Sequence, residues 1–135
     1  MNSPLKWMGG KTKLIPFIEK HIPSYKTYYE PFFGSGAVFF SQQPDKAVCS
    51  DIQAEPIMIM NAIKNSPKEF YHYFATYSDR LWNEGEDYYY ELRNDYNENK
   101  STYDEADRAA RFMVLLRSGF NGLIRFNPKG NWNVP

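Results

Sequence analysis

The chain has 135 residues, a single cysteine and a formal net charge of zero, with 42% apolar and 24% charged residues. That composition suits one soluble globular domain with a real core. It excludes a disordered chain, an internal disulfide and a signal peptide, and no run reaches the roughly 18 apolar residues of a membrane span. A reducing cytoplasm is the natural compartment.

The element pattern is readable in chain order. Lys11 to Ile22 has the apolar spacing of a helix, interrupted by Pro16 and stopped by Pro23. Thr27 to Pro31 is short and rich in β-formers, and a glycine turn, Phe32-Phe33-Gly34-Ser35-Gly36, leads from it into an apolar helix start at Ala37 to Phe40. Lys46 to Ser50 reads as a second strand on which Cys49 is a small core residue. Strand, turn, helix and strand make a βαβ unit, with parallel pairing and a right-handed crossover. Helices are then expected from Glu55 to Ile63, from a capping box at Ser66 to Glu69 into Trp82, and from Glu86 to Asn97. The Tyr88-Tyr89-Tyr90 run on the last of these reads as partly packed surface. A second capping box, Thr102 to Glu105, precedes an apolar helix over Ala109 to Leu116 that ends at Gly119. Phe120 to Pro135 fits a hairpin with its turn at 127–130.

Charge is distributed unevenly. Residues 84–107 hold Glu84, Glu86, Asp87, Glu91, Asp95, Glu98, Asp104, Glu105 and Asp107 against Arg93 and Lys100. Residues 108–135 hold Arg108, Arg111, Arg117, Arg125 and Lys129 and no acid, so a polyanion should meet this end of the chain. Arg108 and Arg111 lie closest to the acidic stretch and are as well suited to pairing with it.

Two glycine motifs bear on ligands. Gly9-Gly10-Lys11-Thr12 lacks the earlier glycine of a phosphate loop, because Leu5 stands there, and lacks a strand ahead of it. Gly34 and Gly36 after a strand allow close backbone approach to a ligand, and Asp51 follows Gly34 by 17 residues, near the spacing that sets a carboxylate on ribose hydroxyls. Phe39 replaces the third glycine of the dinucleotide pattern, which favours a nucleoside cofactor without phosphates. Asp51 as a cap for the next helix stays open.

Four motifs in order, Lys6-Trp7-Met8-Gly9-Gly10-Lys11, Glu30-Pro31-Phe32-Phe33-Gly34-Ser35-Gly36, Ser50-Asp51-Ile52, and Asn121 to Asn127 with Asn133-Val134-Pro135, resemble the Dam-type adenine-specific DNA methyltransferases. The resemblance covers essentially the whole chain. It implies an α/β fold: a partial Rossmann-like class I core that binds S-adenosyl-L-methionine at 1–60, and a helical plus β-hairpin DNA-recognition segment at 61–135. It also implies that Trp7, Lys11, Glu30, Phe32, Gly34, Gly36 and Asp51 bind the cofactor, with Lys11 on the methionine carboxylate and Asp51 on the ribose. Double-stranded DNA would meet Arg117, Phe120, Asn121, Leu123, Arg125 and Lys129. Phe120 takes the place of a ring that inserts beside an extruded adenine, although a core position under the hairpin stays open for it.

The family's Asp-Pro-Pro-Tyr motif, which holds the target amine, is absent, and the sequence contains no Pro-Pro pair. No catalytic residue or metal ligand is therefore assigned, and the resemblance implies a cofactor- and DNA-binding fragment inactive alone. Without the catalytic-motif strand, the first strand should have a bare edge carrying Tyr28 and Tyr29, to be covered by a partner chain, self-association or a rearranged element. A non-catalytic DNA-binding module and a regulatory subunit of a methyltransferase remain as other classes.

Overall fold

A computed structural model describes all 135 residues, which divide into two compact units, Met1–Ile57 and Met58–Pro135.

Unit 1 is built around two three-residue strands, β1 (Tyr28–Glu30) and β2 (Ala47–Cys49), paired in parallel with Tyr29 opposite Val48. The expected helix over Lys11 to Ile22 is broken into a 3-10 turn at Thr12–Leu14, a single α turn, α1 (Ile15–Ile18), and a second 3-10 turn at Glu19–His21. Pro16 is the cause: it sits in the first turn of α1, where its missing N–H costs nothing, and so fixes a helix start inside the predicted helix. Helix α2 (Ala37–Gln42) connects the strands, preceded by Gly36 and followed by Gln43, both left-handed. Alternation along β1 turns Tyr28 and Glu30 inward and Tyr29 outward. Tyr29 is 68% exposed and its partner Val48 54%, so one face of the sheet is bare. Cys49, opposite Glu30 on the inward face, is half-buried rather than a core residue.

The boundary between units falls within helix α3 (Ala54–Asn65). Unit 2 continues with α4 (Pro67–Glu84), α5 (Glu86–Asn99) and α6 (Glu105–Ser118). Ser66 stands at the N-cap of α4 but makes no side-chain cap bond, so its capping box does not form. The start of α6 is set by Asp104, whose carboxylate accepts from the Asp107 N–H at 2.9 Å, two residues beyond the predicted cap at Thr102. Helix α6 buries Ala109, Ala110, Phe112, Leu115 and Leu116 almost completely.

The predicted hairpin is reduced to an isolated antiparallel bridge between Phe126 and Trp132, closed by a turn in which Gly130 donates to the Asn127 carbonyl at 2.8 Å. What fixes this segment is α5. Asn97 donates to the Trp132 carbonyl and accepts from the Trp132 N–H, both at 2.8 Å. Tyr89 donates to the Val134 carbonyl at 3.0 Å and accepts from the Trp132 indole at 3.2 Å. Arg93 donates to the same carbonyl at 3.1 Å, and Lys100 donates to that of Gly130 at 3.0 Å. Tyr88 and Tyr89 are therefore core residues rather than partly packed surface. Trp132 meets Phe112 and Phe126 edge-on at 5.1 and 5.4 Å.

Arg111 pairs with Asp107 at 2.8 Å and with Asp95, and lies over the rings of Tyr77 and Tyr103. It does neutralise the acidic stretch. Arg108 does not, for its Nε points to the Met58 sulfur at 2.9 Å.

Candidate functional site

Unit 1 contains a cavity of about 190 Å³ where three chain segments converge. Trp7 and Lys11 come from the N-terminal loop, Glu30, Phe32 and Gly34 from the end of β1 and its turn, and Asp51 from the end of β2. Six of the seven cofactor residues singled out in the sequence thus line one cavity. Gly36 is not in its wall. It serves the turn instead: its φ is +70°, and a Cβ there would fall 2.3 Å from the Phe33 ring, so only glycine lets that ring pack beneath the loop. Met8, Gly9, Gly10, Phe33, Ser35 and Ala37 also line the cavity, and only Ser35 is polar in its side chain. Phe33 and Ser35 belong to the Glu30–Gly36 loop that the resemblance places around the cofactor, whereas the lining by Met8, Gly9, Gly10 and Ala37 was not assigned, because it depends on how the N-terminal segment folds back. Part of that fold is visible: the Ser3 hydroxyl donates to the Ser35 carbonyl and accepts from the Leu5 N–H.

The charged groups are distinct in character. The Glu30 carboxylate is buried beneath the turn, where it accepts from the Tyr28 hydroxyl and the Phe39 N–H, each at 3.0 Å. Burial raises its carboxyl above the ordinary range, against the opposing pull of those hydrogen bonds and of Lys11. Lys11 donates to the Phe32 carbonyl at 3.3 Å, which anchors the cation at the turn. Asp51 accepts from the Gly34 N–H at 2.6 Å and, with its other oxygen, from the Gln53 N–H at 2.9 Å. This carboxylate ties the glycine turn to the end of β2 and also caps the approach to α3. Each oxygen retains a further lone pair for a ligand.

The cavity is tight at its glycines. A Cβ on Gly34 would touch the Trp7 indole at 3.5 Å, and one on Gly10 would come within 3.2 Å of the Trp7 carbonyl. Phe32 is 77% exposed and offers a flat ring at the rim. The wall therefore supplies the Lys11 ammonium, the carboxylates of Glu30 and Asp51, the rings of Trp7, Phe32 and Phe33, and closely approaching backbone.

In unit 2, the predicted DNA residues Arg117, Phe120, Asn121, Arg125 and Lys129 are exposed, and Leu123 is half-buried. Phe120 is 59% exposed and begins a 3-10 turn, Phe120–Gly122, in which Asn121 is left-handed at φ 51°. The Arg125 guanidinium bonds to Asn133, and none of these five exposed residues takes part in an ion pair.

The N-terminal loop, the glycine turn and the end of β2 thus bring Lys11, Glu30 and Asp51 to one cavity. The family is settled by comparison: residues 7–135 match the profile of the D12 class N6 adenine-specific DNA methyltransferases, and the chain belongs to that family. It is 35% identical to the type II methyltransferase M.MjaIII of Methanocaldococcus jannaschii, over 97% of this chain and 50% of that protein. It is 37% identical to the type II methyltransferase M1.LlaDCHI of Lactococcus lactis, over 96% and 45%. Identity to a DNA adenine methylase of Vibrio cholerae is 33%, over 97% and 46%. The chain thus spans about half the length of these relatives. No helix in it is long and apolar enough to cross a membrane.

Proposed function

We propose that these 135 residues form the cofactor- and DNA-binding part of a site-specific DNA adenine methyltransferase, on a partial Rossmann-like class I core. The reading is carried by the convergence of Trp7, Lys11, Glu30, Phe32, Gly34 and Asp51 on one cavity. S-adenosyl-L-methionine would supply the methyl group transferred to the exocyclic amine of adenine. Lys11 would hold its carboxylate, Asp51 its ribose hydroxyls, and Trp7 and Phe32 its apolar surfaces. The remaining role of Glu30 would be to hold the turn, through Phe39 and Tyr28. Gly36 acts in the same way, by letting Phe33 pack.

Arg117, Asn121, Leu123, Arg125 and Lys129 would face double-stranded DNA, and the exposed ring of Phe120 would fill the gap left by a flipped base. Without an Asp-Pro-Pro-Tyr sequence in its 135 residues, the chain would be inactive alone. The groups that accept the amine would come from elsewhere, and the same partner sequence, or a second copy, would cover the bare edge of β1.

Calorimetric titration with S-adenosylhomocysteine tests the cofactor reading. Saturable binding is expected, weakened in Lys11→Ala and abolished in Asp51→Ala. No binding by the folded wild-type chain would overturn it. One observation favours a second reading, a DNA-binding module without cofactor: both Asp51 oxygens already serve backbone N–H groups. Under that reading DNA binding persists and neither S-adenosylhomocysteine nor Asp51→Ala alters it.

A further inference from the structure

The segment from Arg125 to Asn133 closes around one exposed side chain. Arg125 donates from Nε to the Asn133 Oδ1 at 2.9 Å and from Nη2 to the Asn133 carbonyl at 2.6 Å. The Asn133 N–H returns a bond to the Arg125 carbonyl at 3.1 Å. Asn133 therefore grips both the peptide and the guanidinium of the same arginine. Two bonds in the guanidinium plane fix its orientation, and the remaining hydrogens, on Nη1 and Nη2, are directed by that plane.

Asn133 is itself held from both sides. The peptide of Trp132 before it is bonded twice by Asn97, and the carbonyl of Val134 after it takes bonds from Tyr89 and Arg93. Trp132 and Val134 are fully buried, so the backbone that carries Asn133 has little freedom. An exposed arginine would otherwise sample many rotamers and lose them on binding.

We propose that Asn133 is a positioning residue for Arg125, holding the guanidinium in one orientation for contact with DNA. This rests on the reading of Arg125 as a DNA contact. Asn133 acts through the arginine, and α5 acts through the backbone on either side of Asn133.

The test uses this chain and a fluorescein-labelled pool of DNA duplexes with a randomised centre. Affinity is measured by anisotropy, and the bound fraction is sequenced. Asn133→Ala should unfold at the wild-type temperature and bind about three- to tenfold more weakly, the cost of ordering one long side chain on binding. Its sequence enrichment should change in the same direction as that of Arg125→Ala. The double variant should bind no more weakly than Arg125→Ala alone. Wild-type behaviour of Asn133→Ala would overturn the proposal. So would a double variant weaker than Arg125→Ala by the full Asn133→Ala factor, because Asn133 would then act independently. If Arg125→Ala itself binds as wild type, the DNA reading at Arg125 fails, and this inference with it.

Discussion

Units 1 and 2 dispose of their apolar residues in opposite ways. In unit 2 the three long helices and the terminal segment enclose Tyr96, Phe112, Leu115, Leu116, Trp132 and Val134, each at 1% exposure or less. In unit 1, Leu14, Phe17, Tyr29, Phe32, Val48 and Ile52 are largely exposed, with Ile52 at 98%, over a sheet of two short strands. Two strands are marginal unless something packs on their faces. Unit 2 closes a core of its own, whereas unit 1 keeps exposed apolar surface beside its cavity.

The largest test of this contrast is Trp132→Ala. Removing a buried indole from the Phe112 and Phe126 cluster should cost unit 2 about 3–5 kcal/mol, read as loss of helical circular dichroism at lower urea. A shift below about 1 kcal/mol would mean that the terminal segment is not part of that core. Asn97→Ala should cost less, about 1–3 kcal/mol, because it leaves both polar groups of the Trp132 peptide without partners. Asn97→Asp keeps an acceptor for the Trp132 N–H and should fall between wild type and the alanine variant.

The smallest effect is on pH dependence, and its sign should differ between the units. Burial would raise the Asp95 carboxyl, but hydrogen bonds from Tyr103 and Asn99 and the charge of Arg111 outweigh it, so it titrates below the usual range. Its folded pKa is lower than its unfolded one. The stability it contributes to unit 2 is complete above the ordinary range near about 4, and is lost as pH falls through the folded value. Glu30 has a folded pKa above its unfolded one, so folded unit 1 takes up the proton first. Unit 1 should gain stability as pH falls from neutral through that raised value to the ordinary glutamate range. Amide-exchange protection, corrected for intrinsic rate, should therefore rise around β1 and α2 over a pH interval in which α5 and α6 stay level. Parallel behaviour of the two regions would break the comparison.

Much of unit 1 was legible because its signals are local. The strand, turn, helix and strand order follows from β-formers and glycines, and Asp51, read from its spacing as a carboxylate for ribose or a helix cap, also accepts from the Gly34 N–H at 2.6 Å, a contact the spacing did not predict. The lining by Gly9 and Gly10 was not legible, since it depends on the N-terminal loop folding over the turn. In unit 2 the helices were readable from their period, but the hairpin was overestimated. Turn residues at 127–130 do form a turn, yet Trp132 is drawn to Phe112 and its peptide to Asn97, so a strand ladder does not develop. Tyr89 read as partly packed surface, and Arg93 and Asn97 carried no assignment, because the partners of all three lie 35 to 45 residues away.

The match between α5 and this segment is one of pitch. Seven residues of helix rise about 10.5 Å, and four residues of extended chain about 13 Å. Stepping back from Lys100, at the C-cap of α5, through Asn97 to Arg93 therefore falls a little short of stepping forward through Gly130, Trp132 and Val134, and the long Lys100 and Arg93 side chains take up the difference. The helix and the terminal segment mesh like two racks, with three teeth on each. A one-residue insertion between Asn131 and Trp132 would put the downstream teeth out of step, whereas a residue added within the 127–130 turn would leave the two scales aligned.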